Sequence, residues 1–261
     1  MPTALITGGS SGIGLELSKY FIRGGYQLLW LAATDSEIEN GKAIVESEFP
    51  DANILSIALD LSKPEAAQQT YDWVFTQIDQ LDVLVNNAGF GTYGFTNDID
   101  IQDELNMINV NLLSPYKLSR LFIKGMIKRD NGQIINISSS SSFQPVPKMN
   151  TYASTKAFVK HWSRGISEEL KMINSNVKML VICPAAVKNT AFRNRGFQKV
   201  KTFEGLAYTT AEEVAKDTWK AFKSGKSFYV TGWKQRIVML FHNLVPYSIT
   251  QKFVRMEVAE K

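Results

Sequence analysis

Residues 4–25 read ALITGGSSGIGLELSKYFIRGG. Residues 4–7 form a short strand that runs straight into a glycine-rich turn, and the run after the turn has helical periodicity up to the Gly24-Gly25 stop. Gly8, Gly12 and Gly14 need little side-chain volume, so backbone N–H groups and a helix N-terminus converge on one point. A pyrophosphate fits that point. The spacing is G-x-x-x-G-x-G, which differs from G-x-G-x-x-G. A strand before the turn and a helix after it favour a binding turn over a purely structural one.

The same alternation continues outward. Strands are expected at 27–31, 54–59, 81–86, 133–137, 177–183 and 227–230. Helices are expected between them at 36–48, 64–77, 103–126 and 152–172, with a last one ending at Phe222 behind a Thr209-Thr210 and Glu212-Glu213 capping arrangement. The run at 81–86 is apolar almost throughout, as in a parallel strand buried on both faces. No linker or repeat divides the pattern. It predicts an α/β fold with a doubly wound parallel sheet in three α/β/α layers, as one domain over 1–233, followed by an amphipathic extension at 234–261.

Parallel strands deliver their loops to one edge of the sheet. Falling there are the glycine turn, Asp60, Asn86-Asn87-Ala88-Gly89, the serine run 138–142, and the Pro184 to Thr190 stretch. Asp60 has two compatible readings, an acceptor for an adenine amino group and a cap for the next helix. Tyr152 and Lys156 stand four residues apart on one helical face. A phenol near an ammonium is suited to exchange a proton with a carbonyl or alcohol oxygen. At the end of the second strand an acid would bind a ribose 2′-hydroxyl and a base a 2′-phosphate. Ala32, Ala33 and Thr34 stand there instead, which leaves NADP slightly favoured over NAD.

Composition sets the outer bounds. The 261 residues are 44% apolar and 21% charged with a net charge of +4, a globular balance too diffuse in charge to argue for nucleic acid. Cys183 is the only cysteine, so no intrachain disulfide is possible. Two histidines without metal-ligand spacing suggest no metal site. The chain starts in a strand without a cleavable leader and lacks a long apolar run, so the expected location is cytoplasmic.

Taken together, T-G-G-S-S-G-I-G at 7–14, N-N-A-G at 86–89, N-V-N at 109–111, the 136–139 strand end and Y-A-S-T-K at 152–156 resemble the short-chain dehydrogenase/reductase family. The resemblance spans about residues 3–232 and is closest in its main TGxxxGxG and YxxxK subfamily. The 81–91 and 152–159 strings and the extended C-terminus are similar to a bacterial, DltE-like group. The resemblance implies a Rossmann-like sheet of about seven strands and an NAD(P)-dependent oxidoreductase acting on a carbonyl or secondary alcohol. It implies a catalytic set of Asn111, Ser139, Tyr152 and Lys156. Ser139 lies thirteen residues before Tyr152, with Ser138 and Ser140 as close neighbours. Implied roles are proton transfer for Tyr152, hydrogen bonding to the substrate oxygen for Ser139, and holding the nicotinamide ribose while lowering the tyrosine pKa for Lys156. Asn111 would position a water. Cofactor contacts are implied for Gly8, Ser10, Ser11, Gly12, Ile13, Gly14, Ala33, Asp60, Leu61, Asn87, Ala88, Gly89, Tyr152, Lys156, Pro184, Val187 and Thr190. Homodimer or homotetramer assembly is implied through the helices at 103–126 and 152–172.

Phe90, Tyr93, Phe95, Phe143, Phe192 and Phe197 are expected near the mouth of the site, which suggests an apolar substrate. The basic stretch 184–207 reads equally as a substrate cover or a solvated insertion. For 234–261 three readings stand: packing on a partner subunit or over the site, peripheral membrane contact, and ordinary tail packing. Beside the oxidoreductase stand two other functions, a catalytically silent dinucleotide-binding scaffold and a membrane-peripheral lipid carbonyl reductase.

Overall fold

The strands are β1 (Thr3–Thr7), β2 (Gln27–Ala32), β3 (Ile54–Ala58), β4 (Val83–Asn86), β5 (Gln133–Ile137), β6 (Lys178–Cys183) and β7 (Phe228–Val230). All pair in parallel, in one sheet of order β3-β2-β1-β4-β5-β6-β7. These assignments come from a computed structural model that describes residues 1–188, 208–242 and 245–258.

The helices are α1 (Gly12–Arg23), α2 (Asp35–Glu48), α3 (Ala66–Gln77), α4 (Ile101–Ile108), α5 (Ser114–Lys128), α6 (Asn150–Met172), α7 (Ala211–Lys223), α8 (Trp233–His242) and α9 (Tyr247–Glu257). The uniformly apolar strands serve two cores. Ala4, Ile6, Leu28 and Trp30 pack with Phe21 of α1, Val45 of α2 and Phe222 of α7. Their neighbours Leu5 and Leu29 pack with Val74 of α3, Phe122 of α5 and Leu170 of α6 on the other face. The period-2 alternation of side chains thus produces the three layers directly.

Two expected elements differ in detail. The helix expected over 103–126 begins at Ile101 and is interrupted by a π-helical turn at Asn109–Leu113 that joins α4 to α5. The wider turn places Asn111 inward, where its amide is bound to backbone outside the helix. Asp60 does not cap α3, because its carboxylate accepts from the Ser62 N–H at 2.9 Å and the helix begins only at Ala66. That backbone hydrogen bond holds its pKa below the usual value. The stretch 189–207, with Thr190, Phe192 and Phe197, lies outside the described residues, as does Leu244.

β1 and β4 are neighbours although β1 continues through α1 to β2 on its other side, so a crevice opens between their carboxyl ends. Asn86 and Asn136 fix the strands at that edge. Asn86 Nδ2 donates to Asn136 Oδ1 at 2.7 Å and to Ser119 Oγ at 3.0 Å, while Asn136 Nδ2 donates to Ser163 Oγ at 2.8 Å. One buried network therefore joins β4, β5, α5 and α6.

Candidate active site

The glycine turn meets the crevice from below α1. Ser11 is the extended residue before the helix, and its side chain makes no capping hydrogen bond, so the first-turn N–H groups are left for a ligand. Gly8 and Gly12 have φ of 63° and 52°. At Gly14 a Cβ would lie 2.0 Å from the Gly8 carbonyl oxygen, so only glycine fits. The turn is pinned from both sides. Trp30 Nε1 donates to Ser18 Oγ at 2.9 Å and Ser18 Oγ donates to the Gly14 carbonyl at 2.8 Å, while Asn87 Nδ2 donates to the Thr7 and Gly8 carbonyls at 3.0 and 3.1 Å.

Across the crevice, the start of α6 brings in Tyr152 and Lys156. The Tyr152 hydroxyl is hydrogen-bonded to Ser139. Ser139 opens a short 3-10 turn, Ser140–Phe143, and its Oγ accepts from the Ser141 N–H at 3.1 Å. Ser138 serves the scaffold instead, with its Oγ donating to the Lys156 carbonyl at 2.7 Å. Lys156 Nζ lies 5.8 Å from the Tyr152 ring centroid and donates to the Ile137 carbonyl at 3.1 Å. Behind them Asn111 has both ends of its amide on the Phe90 backbone, donating to its carbonyl at 2.7 Å and accepting from its N–H at 3.0 Å. A Cβ on Gly89 would stand 2.9 Å from Asn111 Oδ1 and 3.2 Å from Lys156 Nζ, so this glycine lets the three groups meet.

Burial dominates the electrostatics. It pushes the Tyr152 pKa up to about 12, against the opposing hydrogen bond from Ser139. It also brings Lys156 down to about 8. At Tyr152 loss of water is the largest influence, and it sets the direction of the shift. Tyr152 is a neutral phenol ready to donate a proton. Cys183, buried beneath, is pushed up to about 11 by the same effect and stays a thiol.

The crevice deepens into a cavity of about 550 Å³. Gly8, Ser11, Gly12, Ile13, Asn87, Ala88, Gly89, Ser139, Tyr152, Lys156, Pro184 and Val187 all line it. Asn111 and Gly14 are buried just behind the wall. Ser10 is buried where the Gly41 backbone of α2 comes close, and Leu61 packs beside Leu31 and Ala66. Ala33 and Asp60 are exposed, so these four residues flank the turn outside the cavity. Of the aromatics expected at the mouth, the described ones, Phe90, Tyr93, Phe95 and Phe143, do not line the cavity, although Tyr93 packs behind its wall against Val146, Val254 and Val258. Phe143 lies against Lys160, with Nζ 3.9 Å from its centroid, Tyr93 donates its hydroxyl to the Val258 carbonyl, and Phe95 is exposed. In their place Val146, Met149, Val238, Met239, Val254 and Val258 form an aliphatic wall. Covering the site was one of the readings of 234–261, whose apolar repeat includes Val238 and Val254, whereas Val146 and Met149 were not expected in the wall. Ser141 Oγ and Gln144 Oε1 also belong to wall residues and are buried without a hydrogen-bond partner. Among the described residues no group of three or more His, Cys, Asp or Glu is placed to hold a metal.

Known proteins resemble this chain in sequence and in fold. The model of the family described as short chain dehydrogenase matches residues 2–201. The chain is 29% identical over 218 residues to a probable NADP-dependent dehydrogenase of Haemophilus influenzae, covering 82% of this chain and 84% of that one. It is 33% identical over 174 residues to the very-long-chain 3-oxoacyl-CoA reductase of Rattus norvegicus, covering 64% of this chain. There it spans about half of the relative, 54% of its length. A solved short-chain dehydrogenase from Sphingobium yanoikuyae in complex with NADPH superimposes with a TM-score of 0.78 at 24% identity, over 88% of this chain and 87% of that one.

Proposed function

The chain belongs to the short chain dehydrogenase family; from that premise we propose that it is an NAD(P)-dependent oxidoreductase that reduces an apolar carbonyl compound to a secondary alcohol with NADPH. The observation that carries this reading is the hydrogen-bonded Ser139 and Tyr152 pair, beside Lys156, at the polar end of an otherwise aliphatic cavity.

The cradle fits a dinucleotide: uncapped N–H groups of α1 and the close approach at Gly14 leave room for a pyrophosphate and no side chain there. The bound nicotinamide supplies the hydride. Gly8, Gly12 and Ile13 would hold the phosphates, and Lys156 the ribose. Ser139 Oγ hydrogen-bonds the carbonyl oxygen where negative charge grows. Tyr152 gives that oxygen its phenolic proton, and burial keeps the proton available at neutral pH. Asn111, with both ends of its amide on Phe90, holds the Gly89-Phe90 backbone beside Lys156, where it would also position a water. The aliphatic wall excludes water and accepts the apolar part of the substrate. Absence of an acid at Ala33, with the NADP-dependent relative, supports NADP over NAD. Exposed Tyr116 and Phe158, 6.3 Å apart on α5 and α6, support pairing with a second copy through those helices.

The test is a titration of tryptophan fluorescence with NADPH and NADH, followed by NADPH oxidation with a panel of carbonyl compounds. Tighter binding of NADPH and turnover that rises with the apolar substituent are expected. Bound NADPH that no carbonyl oxidises would overturn the proposal.

A further inference from the structure

Helices α8 and α9 carry more exposed apolar surface than a water-facing tail needs. Val238, Val245 and Phe253 line the cavity yet remain 54%, 38% and 63% exposed, so they mark its mouth. Around them Trp233, Ile237, Tyr247, Ile249 and Met256 are also exposed. On α9, Ile249, Phe253 and Met256 recur at i, i+4 and i+7, one continuous face. The charge beside this face is mainly positive. Lys234, Arg236, Lys252 and Arg255 are exposed, and no Asp or Glu occurs from 233 to 256. Among the described residues none of these four cations is paired with a carboxylate.

An apolar face that carries four cations against one acid, Glu257 at the end of α9, complements an anionic lipid surface. No helix among the described residues is long and apolar enough to cross a membrane, which leaves the surface-lying mode. We propose that α8 and α9 seat the protein on an anionic bilayer, with the mouth at Val238, Val245 and Phe253 turned toward the acyl chains. Apolar carbonyl substrates then enter from the lipid phase. The route of entry rests on the reductase reading; the docking stands without it.

Co-sedimentation of the full chain with phosphatidylglycerol/phosphatidylcholine vesicles and with phosphatidylcholine vesicles tests this. Binding to the anionic vesicles is expected, at least about tenfold weaker for Lys234→Glu/Lys252→Glu/Arg255→Glu and in high salt. The variant Trp233→Ser/Ile249→Ser/Met256→Ser is expected to lose binding while reducing a water-soluble ketone at the parental rate. No sedimentation with anionic vesicles, or equal sedimentation of the variants, overturns the proposal. So does a dimer in ultracentrifugation that the serine variant dissociates, which assigns the face to a second copy. If vesicles bind but no carbonyl is reduced, the docking holds and the catalytic reading fails.

Discussion

Tyr152 and Lys156 are coupled through shared burial more than through charge. The Lys156 pKa near 8 lies below its ordinary 10.5, so the folded chain is penalised for carrying the ammonium. Below pH 8 the penalty is fully present. Between 8 and 10.5 the unfolded chain binds more protons than the folded one, and stability rises with pH. Denaturant unfolding without cofactor is expected to show Lys156→Met more stable than the parent at pH 7, with the gap closing toward pH 10. A gap independent of pH would contradict the assignment. Gln144 makes a second residue-scale case. Its buried Oε1 lacks a partner, so Gln144→Met is expected to stabilise the cofactor-free chain by about 1 kcal/mol while raising KM for carbonyl substrates. Unchanged stability would show that the amide is satisfied. Tyr152 and Lys156 were legible because four residues make one helical turn. Their pKa order was not, because it depends on the packing of β5, β6 and the serine turn around them.

Elements converge on the site through a few buried polar ties. Asn136 links β5 to both β4 and α6, and Asn136→Ala leaves the Asn86 amide and Ser163 short of a partner. Thermal and denaturant unfolding are expected to show a loss of about 2–3 kcal/mol. Gly14→Ala should abolish dinucleotide binding, because its Cβ meets the Gly8 carbonyl at 2.0 Å and the turn must open; retained affinity would mean that the turn is not the cradle. Regular elements were readable from period and punctuation, down to the Thr210–Glu213 capping box of α7. The π turn at Asn109–Leu113 was not, since nothing local in N-V-N-L-L requires it. It answers to Phe90, twenty-one residues earlier, whose backbone takes the Asn111 amide.

At the scale of the molecule, the sheet supplies the chemistry at its carboxyl edge and the C-terminal helices supply the environment. Val254 and Val258 pack with Val146, Ala153, Tyr93 and Met149, and Gln251 Nε2 donates to the Pro145 carbonyl at 3.1 Å, so α9 closes over the loop after β5. A chain ending at Trp233 is expected to bind NADPH normally but to show KM for apolar carbonyls raised at least about tenfold, because Val238, Met239, Val254 and Val258 are lost from the wall. The sequence showed that 234–261 was amphipathic, and covering the site was among its readings. It could not show that aliphatic residues of the tail, rather than the aromatics near 90–95, line the cavity, because that follows from where the chain returns in space. The central claim is that Tyr152 delivers the proton from this enclosed site. NADPH oxidation by Tyr152→Phe, measured beside NADPH binding by fluorescence, tests it most directly. Loss of turnover by about a hundredfold to ten-thousandfold with cofactor affinity intact is predicted, and full turnover in that variant would contradict it.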